Sequence, residues 1–158
     1  MITKQGPKLL EYNVRLGDPE TQAVLPLMDF DFAAMCTAIL NGTLKDFDFK
    51  WKPGYQVAPV VVSGGYPAAY KKGCEITINE AILKASGAKI FVAGAVTGRR
   101  GDHDLLTSGG RVLASSAYGS TFKEAWEKAY QGVSAVKFEN CFFRKDIGLP
   151  GAAESGKL

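Results

Sequence analysis

The chain has 158 residues, of which 46% are hydrophobic and 22% are charged. This balance is typical of a folded globular chain and excludes a disordered charged tail, which is poor in apolar side chains. The 19 lysines and arginines against 16 acidic residues leave a formal charge of only +3, which does not predict a nucleic-acid-binding protein. No apolar run approaches the about 18 residues of a membrane span, and the start has no signal-peptide pattern. Three widely spaced cysteines do not make a disulfide framework, so we expect reduced thiols and a cytoplasmic location.

The N-terminal part is predicted to contain one strand and two helices. Residues 8–15 alternate between apolar and polar side chains, which predicts a strand. Asp18 and Pro19 predict the start of a helix that continues to about Met28 and is bent or ended by Pro26. Asp31 predicts the cap of a second helix, which ends at the Asn41-Gly42 pair. Its apolar face is formed by Phe32, Met35, Cys36, Ile39 and Leu40.

The second part is predicted to consist of short strands and two helices. The strand patterns cover residues 57–62, 75–78, 89–96 and 111–117, with a polar turn at 99–106. Asn79 predicts the cap of a short helix, and Thr121 with Glu124 forms the capping box of a longer one. Short strands mixed with helices in this order predict an α+β fold.

Changes in composition divide the chain into three segments. Residues 44–56 are mixed and polar and contain Pro53-Gly54, which favours a boundary near residue 50. The last ten residues are rich in Gly, Ala and Ser. We therefore predict units at 1–50 and 51–148 and a flexible tail or linker at 149–158.

The predicted strand over residues 8–15 has two different faces. Leu10, Tyr12 and Val14 share one face, which is apolar. The other face presents Glu11, Asn13 and Arg15. Carboxylate and amide oxygens suit Mg²⁺ or Mn²⁺ beside a nucleotide phosphate, and an arginine suits a transferring phosphoryl group. The same pattern also fits an ordinary solvated strand face with a Glu–Arg pair, and both interpretations remain open.

A turn and a helix start follow this strand directly. Gly17 leads the chain to a predicted helix N-terminus, where free backbone N–H groups attract a phosphate or carboxylate. An ordinary capped helix explains Asp18, Pro19 and Glu20 equally well. Together, the strand face and the helix start form a plausible site edge.

Residues 11–22 (EYNVRLGDPETQ) resemble the signature segment of the phosphoribosylamine–glycine ligases, a family of the ATP-grasp superfamily. Three later segments resemble the C-terminal part of that family in the same order: 63–67 (SGGYP), 107–113 (TSGGRVL) and 141–148 (CFFRKDIG). A Glu-x-Asn strand is common to ATP-grasp enzymes, whereas the continuation over 15–22 is particular to this ligase. The resemblance covers the chain to about Gly148.

The resemblance implies an ATP-dependent ligase of de novo purine biosynthesis. Such a ligase joins glycine to 5-phosphoribosylamine through a glycyl phosphate. By resemblance, Glu11 and Asn13 are ligands of the Mg²⁺ or Mn²⁺ ion at the ATP phosphates, and Arg15 and Asp18 are catalytic. Gly17, Pro19 and Glu20 belong to the implied substrate and phosphate site.

Three cationic residues in the second half are weaker candidates for the same site. Arg111 follows a Gly-Gly turn and is predicted to reach a substrate phosphate. Arg144 and Lys145 are predicted to add positive charge to the phosphoribosyl pocket. A turn before a strand and a surface charge cluster explain these residues equally well.

The implied fold is the last strand and helices of an ATP-grasp domain, followed by a small β-rich C-terminal domain of the hybrid-motif type with a terminal helix. No Gly-rich phosphate loop precedes Glu11. We therefore expect a C-terminal part of the ligase, inactive in isolation, whose partners are ATP, glycine, 5-phosphoribosylamine and either an N-terminal half or fused purine-pathway domains. Two alternatives remain: a truncated relic or binding module without catalysis, and another ATP-grasp ligase or carboxylase component.

Overall fold

The computed structural model describes residues 1–98 and 105–149. Strands Ile2–Thr3 (β1) and Gly6–Pro7 (β2) form a short antiparallel hairpin. Helix Glu20–Val24 (α1) continues into a 3-10 turn, Leu25–Leu27, and helix Phe32–Leu40 (α2) precedes a second 3-10 turn, Leu44–Asp46.

Nine strands and two helices of the described chain follow. In chain order they are Tyr55–Val57 (β3), Val60–Ser63 (β4), Glu75–Ile78 (β5), Glu80–Ser86 (α3), Lys89–Val92 (β6), Ala95–Thr97 (β7), Leu105–Thr107 (β8), Arg111–Gly119 (β9), Phe122–Ser134 (α4), Val136–Lys137 (β10) and Cys141–Phe142 (β11). All their pairings are antiparallel. One sheet has the order β10-β5-β8-β7, and in the other β9 pairs with β3, β4 and β6, with β11 beside β4. The α+β prediction is confirmed.

The core is organised around β9 and α4. Almost every residue of β9 is buried, because other strands pair with both of its edges and α4 packs on one of its faces. Small side chains on α4, Ala125, Ala129 and Gly132, let the helix approach the strand closely. Ser115 Oγ donates to Ala129 O at 2.8 Å, so this buried hydroxyl has a hydrogen-bond partner. Larger apolar residues join both sheets: Val61, Cys74, Ile76, Val112, Leu113, Val133, Val136 and Phe138.

Three helix starts follow the local sequence signals. Asp31 Oδ1 accepts from Ala34 N at 2.9 Å, and Asn79 Oδ1 accepts from Ile82 N at 3.1 Å. Thr121 Oγ1 accepts from Glu124 N at 3.2 Å, which confirms the predicted capping position. The first helix differs slightly, because Pro19 is its cap and Asp18 precedes it.

The predicted strand over residues 8–15 is wrong for this chain. These residues form no strand in the structure, because β1 and β2 pair only with each other and no other described strand lies beside residues 8–15. A strand exists only through hydrogen bonds to a neighbour. The apolar side chains of the predicted face are accordingly exposed, with Val14 at 90%.

Two further strand predictions need correction. The strand over 57–62 is two strands, because the break at Ala58-Pro59 includes a proline that lacks a backbone N–H. The strand over 89–96 is broken at Ala93-Gly94, where Gly94 N donates to Arg111 O at 2.8 Å. Helix α4 is not the terminal element, since β10 and β11 follow it.

Residues 1–50 contribute little to the core. Within them only Gly17 is buried, and the predicted apolar face of α2 leaves Ile39 and Leu40 exposed. The division at residue 50 stays a prediction. Residues 99–104 of the predicted polar turn and 150–158 of the predicted tail lie outside the described residues. In the described ranges, no helix has the length and apolar character that crossing a bilayer requires.

Candidate functional site

The three polar residues of the N-terminal segment lie on one side of the chain. Asn13 Nδ2 donates to Glu11 Oε1 at 3.4 Å, and Arg15 Nη1 donates to Asn13 Oδ1 at 3.5 Å. Arg15 Nη1 also donates to Leu16 O at 3.1 Å. All three side chains are exposed. The extended backbone therefore groups a carboxylate, an amide and a guanidinium even without forming a strand.

The segment from Gly17 to Gln22, called the site loop below, turns into the first residues of α1. Gly17 O accepts from Thr21 N at 3.0 Å and from the Thr21 hydroxyl. Gln22 Nε2 donates to Asp18 Oδ1 at 2.9 Å. A Cβ at Gly17 would collide with the Glu20 carboxylate, so glycine lets the Glu20 side chain fold over this turn.

Strand β9 holds both ends of the site loop. Arg111 Nη1 donates to Asp18 O at 2.6 Å, and Arg111 Nη2 lies 3.6 Å from Asp18 Oδ2. Ser116 Oγ donates to Gln22 O at 2.6 Å. Gln56 Nε2, on β3, in turn donates to Ser116 Oγ at 2.6 Å. The guanidinium of Arg111, predicted to reach a substrate phosphate, is thus engaged with Asp18.

A cavity of about 290 Å³ joins the site loop to the end of the described chain. Pro19 and Arg144, both singled out in the sequence, line it. Its other walls are mostly apolar: Ala58, Val60, Val62, Tyr66, Pro67, Phe142 and Ile147. Such a mostly apolar pocket with one cation fits a small molecule that carries an anionic group.

The Arg144 guanidinium is paired with Asp146. Arg144 Nε donates to Asp146 Oδ1 at 2.9 Å and Nη2 donates to Oδ2 at 2.6 Å. This bidentate pair lowers the pKa of Asp146 and raises that of Arg144. Lys145 is exposed beside it.

A larger cavity of about 490 Å³ lies between the 3-10 turn Leu25–Leu27 and the sheet around β9. Its lining includes Lys52 and Lys89. None of the residues singled out in the sequence lines it. Of these two cavities, the smaller is the one lined by candidate site residues.

Ser116, Gln56 and Tyr130 carry no sequence signal of their own. Ser116 and Gln56 act on the site loop across long stretches of chain, and Tyr130 lies on α4 with its ring beside that of Trp126. The Tyr130 hydroxyl donates to Arg144 O at 2.7 Å. Only the tertiary structure brings these side chains to the site.

The oxygens of Glu11 and Asn13 fit a hard divalent ion by their chemistry. In the described part of the chain, no group of three or more His, Cys, Asp or Glu side chains is arranged to hold a metal ion. Two donors do not complete the six-fold coordination that Mg²⁺ prefers. Further ligands would have to come from nucleotide phosphates, water or another segment.

Comparisons with known proteins agree with the resemblance found in the sequence. Residues 56–150 match the family model described as phosphoribosylglycinamide synthetase, C domain. A phosphoribosylamine–glycine ligase of Clostridium acetobutylicum is 49% identical over 149 residues, covering 94% of this chain and 34% of that protein. A bifunctional purine biosynthetic protein of Schizosaccharomyces pombe is 47% identical, covering 93% of this chain and 18% of that protein.

A solved structure is similar over the same length. The crystal structure of a phosphoribosylamine–glycine ligase from Thermotoga maritima matches with a TM-score of 0.68 and 37% identity, covering 93% of this chain and 35% of that one. The chain spans about a third of the length of the curated ligases it matches, such as 34% of the Clostridium protein. The family model covers well over half of the chain. The chain therefore belongs to the phosphoribosylglycinamide synthetase C-domain family.

Proposed function

We propose that this chain works as the C-terminal part of an ATP-dependent ligase that joins glycine to 5-phosphoribosylamine in purine biosynthesis. The observation that carries the proposal is the hydrogen bond from Arg111 to Asp18 O. It ties the ligase signature segment to the part of the chain that matches the family. The names of the relatives support the same reaction.

The exposed polar residues of the N-terminal segment have the chemistry needed at the ATP phosphates. In this proposal Glu11 and Asn13 hold a Mg²⁺ or Mn²⁺ ion, and Arg15 neutralises charge on the transferring phosphoryl group. A bound divalent ion supplies charge neutralisation during phosphoryl transfer. Asp18 is the catalytic residue of the site loop, and its contacts with Arg111 and Gln22 keep it in one orientation.

The cavity beside the site loop is the proposed place for 5-phosphoribosylamine. Arg144 binds its phosphate group, and Lys145 adds positive charge. Arg111 contributes indirectly, because it holds Asp18 in place. Gly17, Pro19 and Glu20 form the edge towards the ATP phosphates. The apolar walls lie beside the Arg144 guanidinium, which is the one cationic group among the lining residues.

The exposed N-terminal segment is proposed to pair with an ATP-binding half of the ligase. The exposed side chains of Leu10, Tyr12 and Val14 would pack against neighbouring strands of an ATP-binding half, which would also complete the predicted ATP-grasp strand. We expect the 158-residue chain alone to release no ADP in a glycine-dependent way. The division at residues 50 and 148 and the cytoplasmic location belong to the proposal.

The test is the variant Glu11→Ala in a complete ligase that contains this segment. We expect the apparent affinity for the metal–ATP complex to fall by at least about 10-fold, because losing a residue that only supports a metal ligand already costs about 10- to 100-fold. Steady-state kinetics at varied Mg²⁺ and ATP measure this. Glu75→Ala is the matched control, since Glu75 is an exposed carboxylate at the start of β5 and is not among the candidate site residues.

Unchanged activity and metal dependence in Glu11→Ala would contradict the metal role. Glycine-dependent ADP release by the isolated chain would contradict its dependence on an ATP-binding half. A complete protein without ligase activity would favour the binding-module alternative instead.

A further inference from the structure

The hydroxyl of Tyr130 bridges two backbone groups of the loop that follows β11. It donates to Arg144 O at 2.7 Å and accepts from Ile147 N at 3.2 Å. A tyrosine hydroxyl can do both, because it has one proton and free lone pairs. One side chain of α4 therefore closes the loop over residues 144–147, called the arginine loop below.

The ring of Tyr130 is held firmly from both sides. The Trp126 ring, one turn earlier on α4, has its centroid 4.4 Å away, and the Phe143 ring lies at 6.1 Å. Helix α4 is itself anchored on β9 by Ala129 and Val133, both fully buried. Partial burial raises the pKa of Tyr130 above its ordinary value, which is already well above neutral, and the hydroxyl therefore keeps the proton it donates. The bridge thus connects the arginine loop to a helix that packs on the buried strand β9.

The arginine loop carries one charged group into the cavity beside the site loop. Arg144 lines that cavity together with Pro19, and its bidentate pair with Asp146 lies within the same loop. Both ends of the loop backbone depend on the Tyr130 hydroxyl. A long arginine side chain on an exposed loop has many rotamers, so fixing its backbone and its partner limits where the guanidinium can point.

We propose that Tyr130 is a positioning residue, which sets the orientation of Arg144 for an anionic substrate group. This inference rests on the proposed function, in which Arg144 binds the phosphate of 5-phosphoribosylamine. Tyr130 itself does not line the cavity. It acts by holding Arg144 O and Ile147 N in place.

The test is Tyr130→Phe in the complete ligase, which removes the hydroxyl and keeps the ring. We expect the KM for 5-phosphoribosylamine to rise about five- to tenfold, the size expected for a lost hydrogen bond. The KM values for ATP and glycine and the kcat should stay within about twofold of wild type. A general loss of folding would change all of them or the melting temperature instead.

Tyr118→Phe is the matched control. Its hydroxyl also donates to a backbone carbonyl, Pro53 O at 2.6 Å, but Tyr118 does not line this cavity. We expect its KM for 5-phosphoribosylamine to equal that of wild type. Arg144→Gln should raise that KM at least as much as Tyr130→Phe, and the double variant should add little, because both changes remove one interaction.

The outcomes separate this inference from the function on which it rests. If Arg144→Gln leaves the KM for 5-phosphoribosylamine unchanged, the proposed role of Arg144 is wrong. If Arg144→Gln raises it and Tyr130→Phe does not, the role of Arg144 stands and the positioning role of Tyr130 is wrong. A Tyr130→Phe effect that is fully additive with Arg144→Gln, or equal for all three substrates, also contradicts positioning.

Discussion

Single polar side chains connect segments that lie far apart in this chain. Ser116 reaches Gln22 across 94 residues, and Arg111 reaches Asp18 across 93. Each such hydrogen bond contributes only about 0.5–1.5 kcal/mol in a typical protein. Their main effect is on orientation, because two donors on the same strand hold the two ends of the site loop in fixed positions.

The Glu124 carboxylate makes the stability of α4 depend on pH. Hydrogen bonds from Lys128 and Ser120 lower its pKa from 4.5 to about 2. Since the folded pKa lies below the unfolded one, this group stabilises the fold above pH 4.5 and the contribution is lost as the pH falls towards 2. We expect Glu124→Gln to reduce the loss of stability over that range, which urea unfolding at several pH values measures.

The control for this prediction is Glu127→Gln on the same helix. Glu127 lies 3.8 Å from Lys123, whereas Glu124 lies 2.6 Å from Lys128. We expect this control to keep most of the wild-type acid dependence. An acid dependence in Glu124→Gln that equals the wild type would show that the Lys128 and Ser120 contacts do not persist in solution.

Among the elements, α4 and the N-terminal segment behave in opposite ways. Helix α4 is capped by the Thr121 hydroxyl and buries small residues against β9, so local and tertiary contacts favour the same structure. Residues 8–15 have a strand pattern but no neighbouring strand in the described chain. An element of the second kind forms only when its partner is present.

Gly132 lies where α4 approaches β9 closely. A Cβ at this position would collide with Ser115 Oγ and lie 2.6 Å from Ala88 Cβ. Overpacking costs about 1–3 kcal/mol, and alanine brings a gain of about 1 kcal/mol to a helix interior. We therefore expect Gly132→Ala to lower the free energy of unfolding by up to about 2 kcal/mol. Thermal and urea unfolding measure the difference.

Gln131→Ala is the control for Gly132→Ala. Gln131 is the preceding residue of α4 and is exposed, so the substitution changes helix propensity without adding atoms to the contact. We expect little change or a small gain in stability. If the free energy of unfolding of Gly132→Ala equals that of this control, α4 does not approach β9 as closely as described.

The whole molecule joins a well-packed second half to a loosely attached first part. The buried apolar residues begin at Val57, and residues 1–50 meet the rest mainly through backbone and side-chain hydrogen bonds. The chain also spans only about a third of its ligase relatives. This uneven distribution of packing predicts uneven local stability.

Hydrogen exchange of the 158-residue chain tests that distribution. We expect the amides of residues 9–16 to exchange almost as fast as in an unfolded chain, and those of β9 and α4 to be the slowest. In a complete ligase, residues 9–16 should become protected, because strand pairing would occupy their N–H groups. Slow exchange at 9–16 in the isolated chain would contradict the absence of a strand there.

The sequence by itself determined the family, the α+β class and the helix starts at Asp31, Asn79 and Thr121. Caps are local, since a side chain bonds to a backbone N–H three residues on. Backbone alternation also predicted that Glu11, Asn13 and Arg15 lie on one side.

Only the tertiary structure decided where these groups meet the rest of the chain. In the folded chain the Arg111 guanidinium hydrogen-bonds to Asp18, and Arg144 and Pro19 line the same cavity. The Tyr130 hydroxyl hydrogen-bonds to the arginine loop. The tertiary structure also interrupts the predicted strands at Pro59 and Gly94 and leaves residues 9–15 without a neighbouring strand. Such contacts depend on the packing of distant segments, and a strand depends on the neighbour that supplies its hydrogen bonds, so no local pattern contains them.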